Sequence, residues 1–370
     1  MLRLASKDTF VARLGGDEFG FIMEGSRKDI LVFANSLCEA LRAPFELREI
    51  TVDVSASCGV AFYEAEFQSA KDMFECADYA LYQAKLHHNG RAVLFSHEHR
   101  TAMRTSHNIN QALRSPGVSA ELYLAYQPIV DVDTRRITCF EALARWKSPL
   151  LGDVPPSKFI AAAEASPLIN KLTLVLLKCL LRDMAEWPAD ARASFNLSAR
   201  NLSSPDTMLQ IIAVIQMSGI DPKRIDFEVT ETTLMIDFDS ALRSLTLLRN
   251  LGCGISLDDF GTGHSSLSYI NKLPLDKIKI DRSFVLAGAD DLKTREIVNT
   301  IASLGNKLGL ACVAEGVETK EQLRLMQDCG CSLMQGYYFA RPMMAEQVIH
   351  LVRAQDATFL PPASPLLKSA

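Results

Sequence analysis

From about Leu122 onward, short apolar, β-branched runs recur along the chain, and most end on polar residues of types that bind hard divalent metals. These residues are Glu141, Asn196, Glu228, Asp258 with Asp259, Lys279 and Glu315, carried by FEALARW, ASFNLS, RIDFEVTE, GISLDDFG, DKIKID and ACVAEGVE. Each run except the first follows a segment with helical periodicity, such as DSALRSLTLLRNLG before GISLDD. That alternation predicts parallel strands joined by crossover helices. In a (β/α) barrel the C-terminal ends of the strands meet on one rim, so groups far apart in sequence converge there. The pattern implies an enzyme.

Composition bounds this reading. With 370 residues, 48% hydrophobic and 22% charged, the chain can bury substantial cores, and its length favours two domains. The longest apolar stretch, LTLVLLKCLL from Leu172 to Leu181, is too short to span a bilayer and contains Lys178, and no charged-then-apolar leader opens the sequence. The expectation is a cytoplasmic protein with no membrane segment. Nine cysteines without CxxC pairs imply reduced, mostly buried thiols, Cys329 and Cys331 among them. A formal charge of −5 leaves no general footprint for a DNA or RNA polymer, so a nucleotide ligand needs a local site.

The chain divides at a polar, helix-prone segment. Residues 1–96 hold RLGGDEFGFIM, the alternating stretch TVDVSASCGVAFY and the helical DMFECADYALYQAKL, which read as an α/β unit with a β-hairpin. Residues 97–118 read as a linker helix, 119–355 as the barrel and 356–370, rich in Pro, Ala and Ser, as a mobile tail. The barrel is entered by YLAYQPIVDVDTRRITCFEALARW, two strands joined by a polar turn, so a hairpin precedes the β/α alternation.

Eight motifs in order, YQPIVD, FEALARW, FNLSARNL, FEVTET, LDDFGTGHSSL, LPLDKIKIDRSFV, VAEGVET and QGYYFARPM, make the second part resemble the EAL family of cyclic di-GMP phosphodiesterases over its whole length. The first part resembles the C-terminal portion of a GGDEF domain, the diguanylate cyclase fold, through RLGGDEFGFIM and ADYALYQAK. The resemblance implies an α/β architecture: a modified TIM (β/α)8 barrel with one antiparallel strand, preceded by a partial GGDEF domain. It also implies hydrolysis of cyclic di-GMP to linear pGpG with two Mg²⁺ or Mn²⁺ ions per site, and a homodimer formed through the barrel.

By that resemblance, Glu141, Asn196, Glu228 and Asp258 hold a first metal, and Asp258 bridges to a second bound by Asp259 and Glu315. A phosphodiester is anionic and resists hydroxide, so two cations that neutralise it and acidify a water suit the task. Lys279 matches the family lysine near the attacking water. Arg145, four residues after Glu141 and on the same face of that strand, matches an arginine that contacts phosphate, and Gln127 and Gln335 match glutamines lining the nucleotide site. Glu231 matches the anchor of the flexible Gly261–Ser268 loop, which couples dimerisation to metal binding, and His264 stands where the family most often has an aromatic residue.

Each residue also has a plainer reading. A single acidic residue at a strand end is most often a solvated turn residue or a helix cap, which applies to Glu141, Glu228, Glu231 and Glu315. Asn196 could cap the next helix, and Lys279 could snorkel at an edge. Asp258 beside Asp259 favours the metal reading, because burying two like charges is costly without a cation.

In LGGDEFG, glycines Gly15 and Gly16 allow backbone to approach a nucleotide, and Asp17 and Glu18 could bind metal, which by resemblance forms half of a GTP site. Only fourteen residues precede Gly15, and the inhibitory RxxD pattern would fall on Ser6 to Thr9, which reads SKDT. Cyclase activity is therefore not expected. The segment reads as a remnant, as a truncated domain, or as part of an intact GTP-binding regulator. A barrel that binds cyclic di-GMP without cleaving it is the alternative to hydrolysis, and a diguanylate cyclase the weaker one.

Overall fold

A computed structural model describes residues 9–47, 50–63, 69–87, 90–261, 270–288 and 291–353. Most of the expected Gly261–Ser268 loop with His264, the Ser6–Asp8 positions and the expected mobile tail lie outside the described residues. Two compact units divide the chain, Met1–Asn108 and Ile109–Ala370.

In the first unit, β1 (Phe10–Gly15) and β2 (Glu18–Ile22) form an antiparallel hairpin. Its two-residue turn places Gly16 at φ 49°, a left-handed conformation that glycine adopts without strain. Arg13 braces the turn by donating to the Gly16 carbonyl. Helix α1 (Arg27–Ala40) starts at Ser26, whose hydroxyl accepts from the Asp29 N–H. Two short strands, β3 (Phe45–Leu47) and β4 (Ile50–Val52), pair antiparallel. Helix α2 (Ala70–His87) then connects β5 (Cys58–Val60) to its parallel partner β6 (Ala92–Leu94). A Cβ at Gly59 would lie 2.0 Å from the Ala77 carbonyl oxygen, so the close seat of α2 on β5 requires glycine. The buried hydrophobic set is small, including Ala34, Leu37, Val60 and Ala80, whereas Phe10, Leu14, Phe19 and Ile22 of the hairpin are exposed. Helix α3 (His97–Leu113) covers most of the polar segment read as a linker.

The second unit is a closed eight-stranded barrel. Strands β7 (Leu122–Asp131) and β8 (Arg136–Ser148) form the entry hairpin, and the short β9 (Gly152–Val154) extends the far end of β8. Strands β10 (Ala193–Asn196), β11 (Ile225–Thr230), β12 (Gly254–Phe260), β13 (Lys277–Ile280), β14 (Ala311–Ala314) and β15 (Leu333–Gln335) follow in parallel order. The ring closes where β10 pairs parallel with β8 and β15 pairs antiparallel with β7. β7 is thus the one reversed barrel strand.

The alternation of strand side chains sorts the barrel into an outer apolar layer and an inner polar one. Phe140, Phe195, Phe227, Ile255, Leu257, Ile278 and Ile280 face outward into the main hydrophobic core. Helices complete that core. Leu168–Ala185, which contains the longest apolar stretch, buries Leu172, Leu176, Leu177, Leu180 and Leu181 at helical spacing, so it packs as a barrel helix. Left-handed Gly219, Gly252 and Gly309 end three crossover helices and release the chain toward the next strand. Inside the barrel, Ile129, Cys139, Val313 and Leu333 form a separate small apolar cluster, and Gln127, Glu141, Ser194, Asp226, Glu228, Ser256 and Lys279 place buried polar side chains around it. Among the described residues no helix is long and apolar enough to cross a membrane.

Candidate metal centre at the barrel mouth

Lys279, the third residue of β13, lies between two outward isoleucines and therefore points into the barrel. It is 1% exposed, which removes the edge-snorkelling reading. Its Nζ lies 2.7 Å from Glu228, 2.6 Å from Glu315, 3.3 Å from Asp258 and 3.5 Å from Glu141. Four carboxylates from β8, β11, β12 and the end of β14 thus share one ammonium. Glu141 comes from the middle of β8 rather than from its end, because β8 runs on into the β9 hairpin.

Glu141 is oriented from two sides. Asn196 Nδ2 donates to its Oε1 at 3.1 Å, and Gln335 Nε2 donates to its Oε2 at 2.6 Å. Gln335 also donates to Gln127 Oε1 at 3.2 Å, while Gln127 Nε2 donates to the Ala340 carbonyl. Both glutamines are buried and joined to the carboxylate cluster, with Gln127 directly opposite Glu141 in the β7–β8 register. Asn196 is exposed at the open end of β10. Its amide turns to Glu141, while Ser198 and Asn201 supply the capping box of the next helix, so the cap reading belongs to Ser198.

The adjacent aspartates need a special backbone. On a regular strand successive side chains face opposite ways. Between Leu257 and Phe260 the β12–β13 register shifts by one residue, and Asp259 takes a positive φ of 53°. This bulge re-aims the pair, so that Asp258, Asp259 and Glu315 offer carboxylate oxygens within 4.8 Å of one another. Glu141, Glu228 and Asp258 form a second such group. Asp258 belongs to both.

Electrostatics at the cluster are strained. Burial would weaken the Lys279 ammonium, but the surrounding carboxylates hold its pKa well above the usual lysine value. Burial lifts Glu315 to about 8 and Glu228 well above the carboxylate range, Lys279 opposing both shifts. Burial likewise acts to raise Glu141, but Lys279 and the Gln335 and Asn196 donors outweigh it and hold that carboxyl below its ordinary value. Asp259 is pushed up by burial and by neighbouring Asp258. Among the described residues, Glu228 Oε1 and Gln335 Oε1 are buried without a hydrogen-bond partner. An all-oxygen donor set with excess negative charge and unpartnered buried oxygens fits a hard divalent cation.

The family models now decide the class. Residues 107–342 match the model described as EAL domain, and residues 1–91 match that of the diguanylate cyclase GGDEF domain. The chain belongs to the EAL domain family. Among curated relatives of this EAL chain, it is 36% identical over 353 residues to MucR of Pseudomonas aeruginosa, described as a bifunctional diguanylate cyclase/cyclic di-GMP phosphodiesterase. That alignment covers 93% of the chain and 51% of MucR. It is 32% identical over 357 residues to NbdA of the same organism, described as a cyclic di-GMP phosphodiesterase, covering 95% of the chain and 46% of NbdA. The EAL chain spans about half the length of the curated relatives it matches. A solved structure described as the PaMucR phosphodiesterase in complex with c-di-GMP superposes with TM-score 0.61 at 37% identity, covering 66% of this chain and 99% of that one.

Not every predicted site residue joins the cluster. Arg145 is partly buried farther along β8, and its guanidinium donates to the Ala144 carbonyl. Glu231 opens the short helix Glu231–Ile236 and is buried, its Oε2 without a hydrogen-bond partner among the described residues. Gly15, Gly16, Asp17 and Glu18 lie at the exposed hairpin turn of the first unit. The sequence reading passed over Asp226 and Lys277. Both lie two residues before a predicted site residue on the same strand, and strand alternation alone could have marked them as inward-facing.

Proposed function

We propose that the barrel hydrolyses cyclic di-GMP to linear pGpG in a metal-dependent reaction. The observation that carries this reading is the single buried ammonium of Lys279 set among four carboxylates, with Asp258 shared by two metal-sized groups. Once all are ionised, five carboxylates against one ammonium leave four negative charges, which two divalent cations would balance. Glu141, Asn196, Glu228 and Asp258 are suited to one ion, and Asp258, Asp259 and Glu315 to the other. Mg²⁺ or Mn²⁺ bound there would supply positive charge at the phosphate and lower the pKa of a water.

The chain's own residues do the rest. Lys279 orients the attacking water from the floor of the site and steadies negative charge as it builds on the phosphate. Gln335 and Asn196 fix the rotamer of Glu141. Arg145, released from the Ala144 carbonyl, is within the same face of β8 to take a non-bridging phosphate oxygen. Gln127 backs the nucleotide pocket through Gln335. Glu231 anchors the loop after β12, and two barrels associate as a homodimer.

Residues 1–96 serve as the GGDEF-like domain, 97–118 as a linker, 119–355 as the catalytic barrel and 356–370 as a tail. GTP binding belongs only to an intact GGDEF domain, and the protein works in the cytoplasm on a diffusible nucleotide. The test is Glu141→Ala: turnover should vanish while the far-ultraviolet circular dichroism and melting transition persist. Retained turnover would contradict the reading, and tight binding by the unchanged chain without turnover would favour a receptor.

A further inference from the structure

Beneath the carboxylate cluster lies a second charged crossing, built one step down the same two strands. Lys277 Nζ donates to Asp226 Oδ2 at 2.5 Å, from β13 to β11. The upper contact, Lys279 to Glu228, runs between the same strands two residues further on. Both must pass over β12. They can do so because the β12 residues in register with Asp226 and Glu228 are the small Gly254 and Ser256. A Cβ on Gly254 would stand 2.1 Å from Asp226 Oδ1. Asp226 is 1% exposed, and its other oxygen is held by Arg192 at 2.5 Å.

We propose that the Asp226–Lys277 pair is a positioning crossbeam, which fixes the separation of β11 and β13 and thereby the placement of Glu228 and Lys279 above it. The inference rests on the reading of the upper carboxylates as metal ligands. Ligation would engage Glu228, one end of the upper crossing, whereas neither end of the lower crossing belongs to the ligand set. The lower pair can therefore hold the strands while the upper one changes partners. A buried ion pair adds little net stability compared with apolar packing, so its use lies in geometry.

The test is Mn²⁺ titration of the purified chain by calorimetry, with kcat and KM for cyclic di-GMP measured in parallel. Lys277→Met separates positioning from simple charge. Removing a partly buried cation beneath a divalent site should tighten Mn²⁺ binding on electrostatic grounds alone. A positioning role predicts the opposite, affinity weakened by about tenfold, as when residues supporting metal ligands are lost, with kcat reduced more than KM. Lys277→Arg should restore both. Mn²⁺ affinity in Lys277→Met equal to or above that of the unchanged chain, with kcat intact, would overturn the crossbeam. If Lys277→Met does not fold, Gly254→Ala decides, because it displaces Asp226 without removing any charge: weaker Mn²⁺ binding supports the proposal and unchanged binding contradicts it. Absence of Mn²⁺ binding in the unchanged chain would overturn the metal-centre reading and this inference with it, a failure seen before any variant is made.

Discussion

Lys279 donates a 2.7 Å hydrogen bond to Glu228 in the barrel interior, where each side chain is only 1% exposed. The pair joins β11 to β13, and three further carboxylates crowd the same centre, Glu141, Asp258 and Glu315. One ammonium cannot neutralise them. The cluster is therefore built for additional positive charge, and the consequences can be measured.

Removing the ammonium should expose that imbalance. Lys279→Met is expected to abolish turnover and to lower unfolding free energy in EDTA at pH 8 by roughly 3–5 kcal/mol, the usual cost of stranding a buried partner charge. At pH 5 the loss should be smaller, since Glu315, lifted by burial to about 8, then carries a proton and burial shifts Glu228 in the same direction. Urea denaturation at both pH values checks this. An equal loss at the two would count against coupling between the groups.

Stability without metal should fall as pH rises. Glu315 titrates at about 8 in the fold and Glu228 well above the usual carboxylate value, so both bind protons in the folded state that the unfolded chain has released. Their stabilising share is full below the unfolded value near pH 4.5 and is lost as pH climbs through about 8. Thermal melts in EDTA should show a lower Tm at pH 8.5 than at pH 6. Added Mn²⁺ should raise Tm more at the higher pH, because ligation no longer has to displace protons.

Gln335 should act through Glu141 rather than by nucleotide contact alone. Its 2.6 Å bond to Glu141 Oε2 is charge-assisted, and Gln335→Ala should weaken Mn²⁺ binding by about 1.5–3 kcal/mol, the range for hydrogen bonds to charged groups. Calorimetric Mn²⁺ titration without nucleotide reads this directly. An unchanged Mn²⁺ affinity with a raised KM would return Gln335 to a purely substrate-lining role.

The bulge at Asp258–Asp259 makes a conformational prediction. Asp259 holds φ 53°, which asparagine tolerates and a β-branched residue resists. Asp259→Asn should keep the melting temperature near that of the unchanged chain, whereas Asp259→Val should be less stable by about 1–2 kcal/mol. Both should lose activity. Equal melting temperatures would argue against backbone strain at this position.

Much of the barrel was legible because the outward residues alternate cleanly with polar ones, as in IKI around Lys279 and DFE around Glu228. The convergence of Glu141, Glu228, Asp258, Lys279 and Glu315 follows from that alternation plus parallel pairing. Other features need the register. Adjacent aspartates on a strand should face apart, and only the one-residue shift after Leu257 brings Asp259 toward Glu315. The Asp226–Lys277 crossing depends on Gly254 lying opposite Asp226, which no local pattern announces. In the first unit the alternating stretch from Thr51 to Tyr63 yields only the short strands β4 and β5, with a non-strand segment between them. Alternation there marks strand propensity without fixing strand length.

The most direct test of the central claim is to incubate the purified chain with cyclic di-GMP and Mg²⁺ or Mn²⁺, with an EDTA control, and resolve the products by chromatography. Appearance of pGpG that depends on metal, and that is lost in Glu141→Ala and Lys279→Met, is the predicted result. Intact cyclic di-GMP from folded, metal-loaded protein that still binds the nucleotide would contradict it.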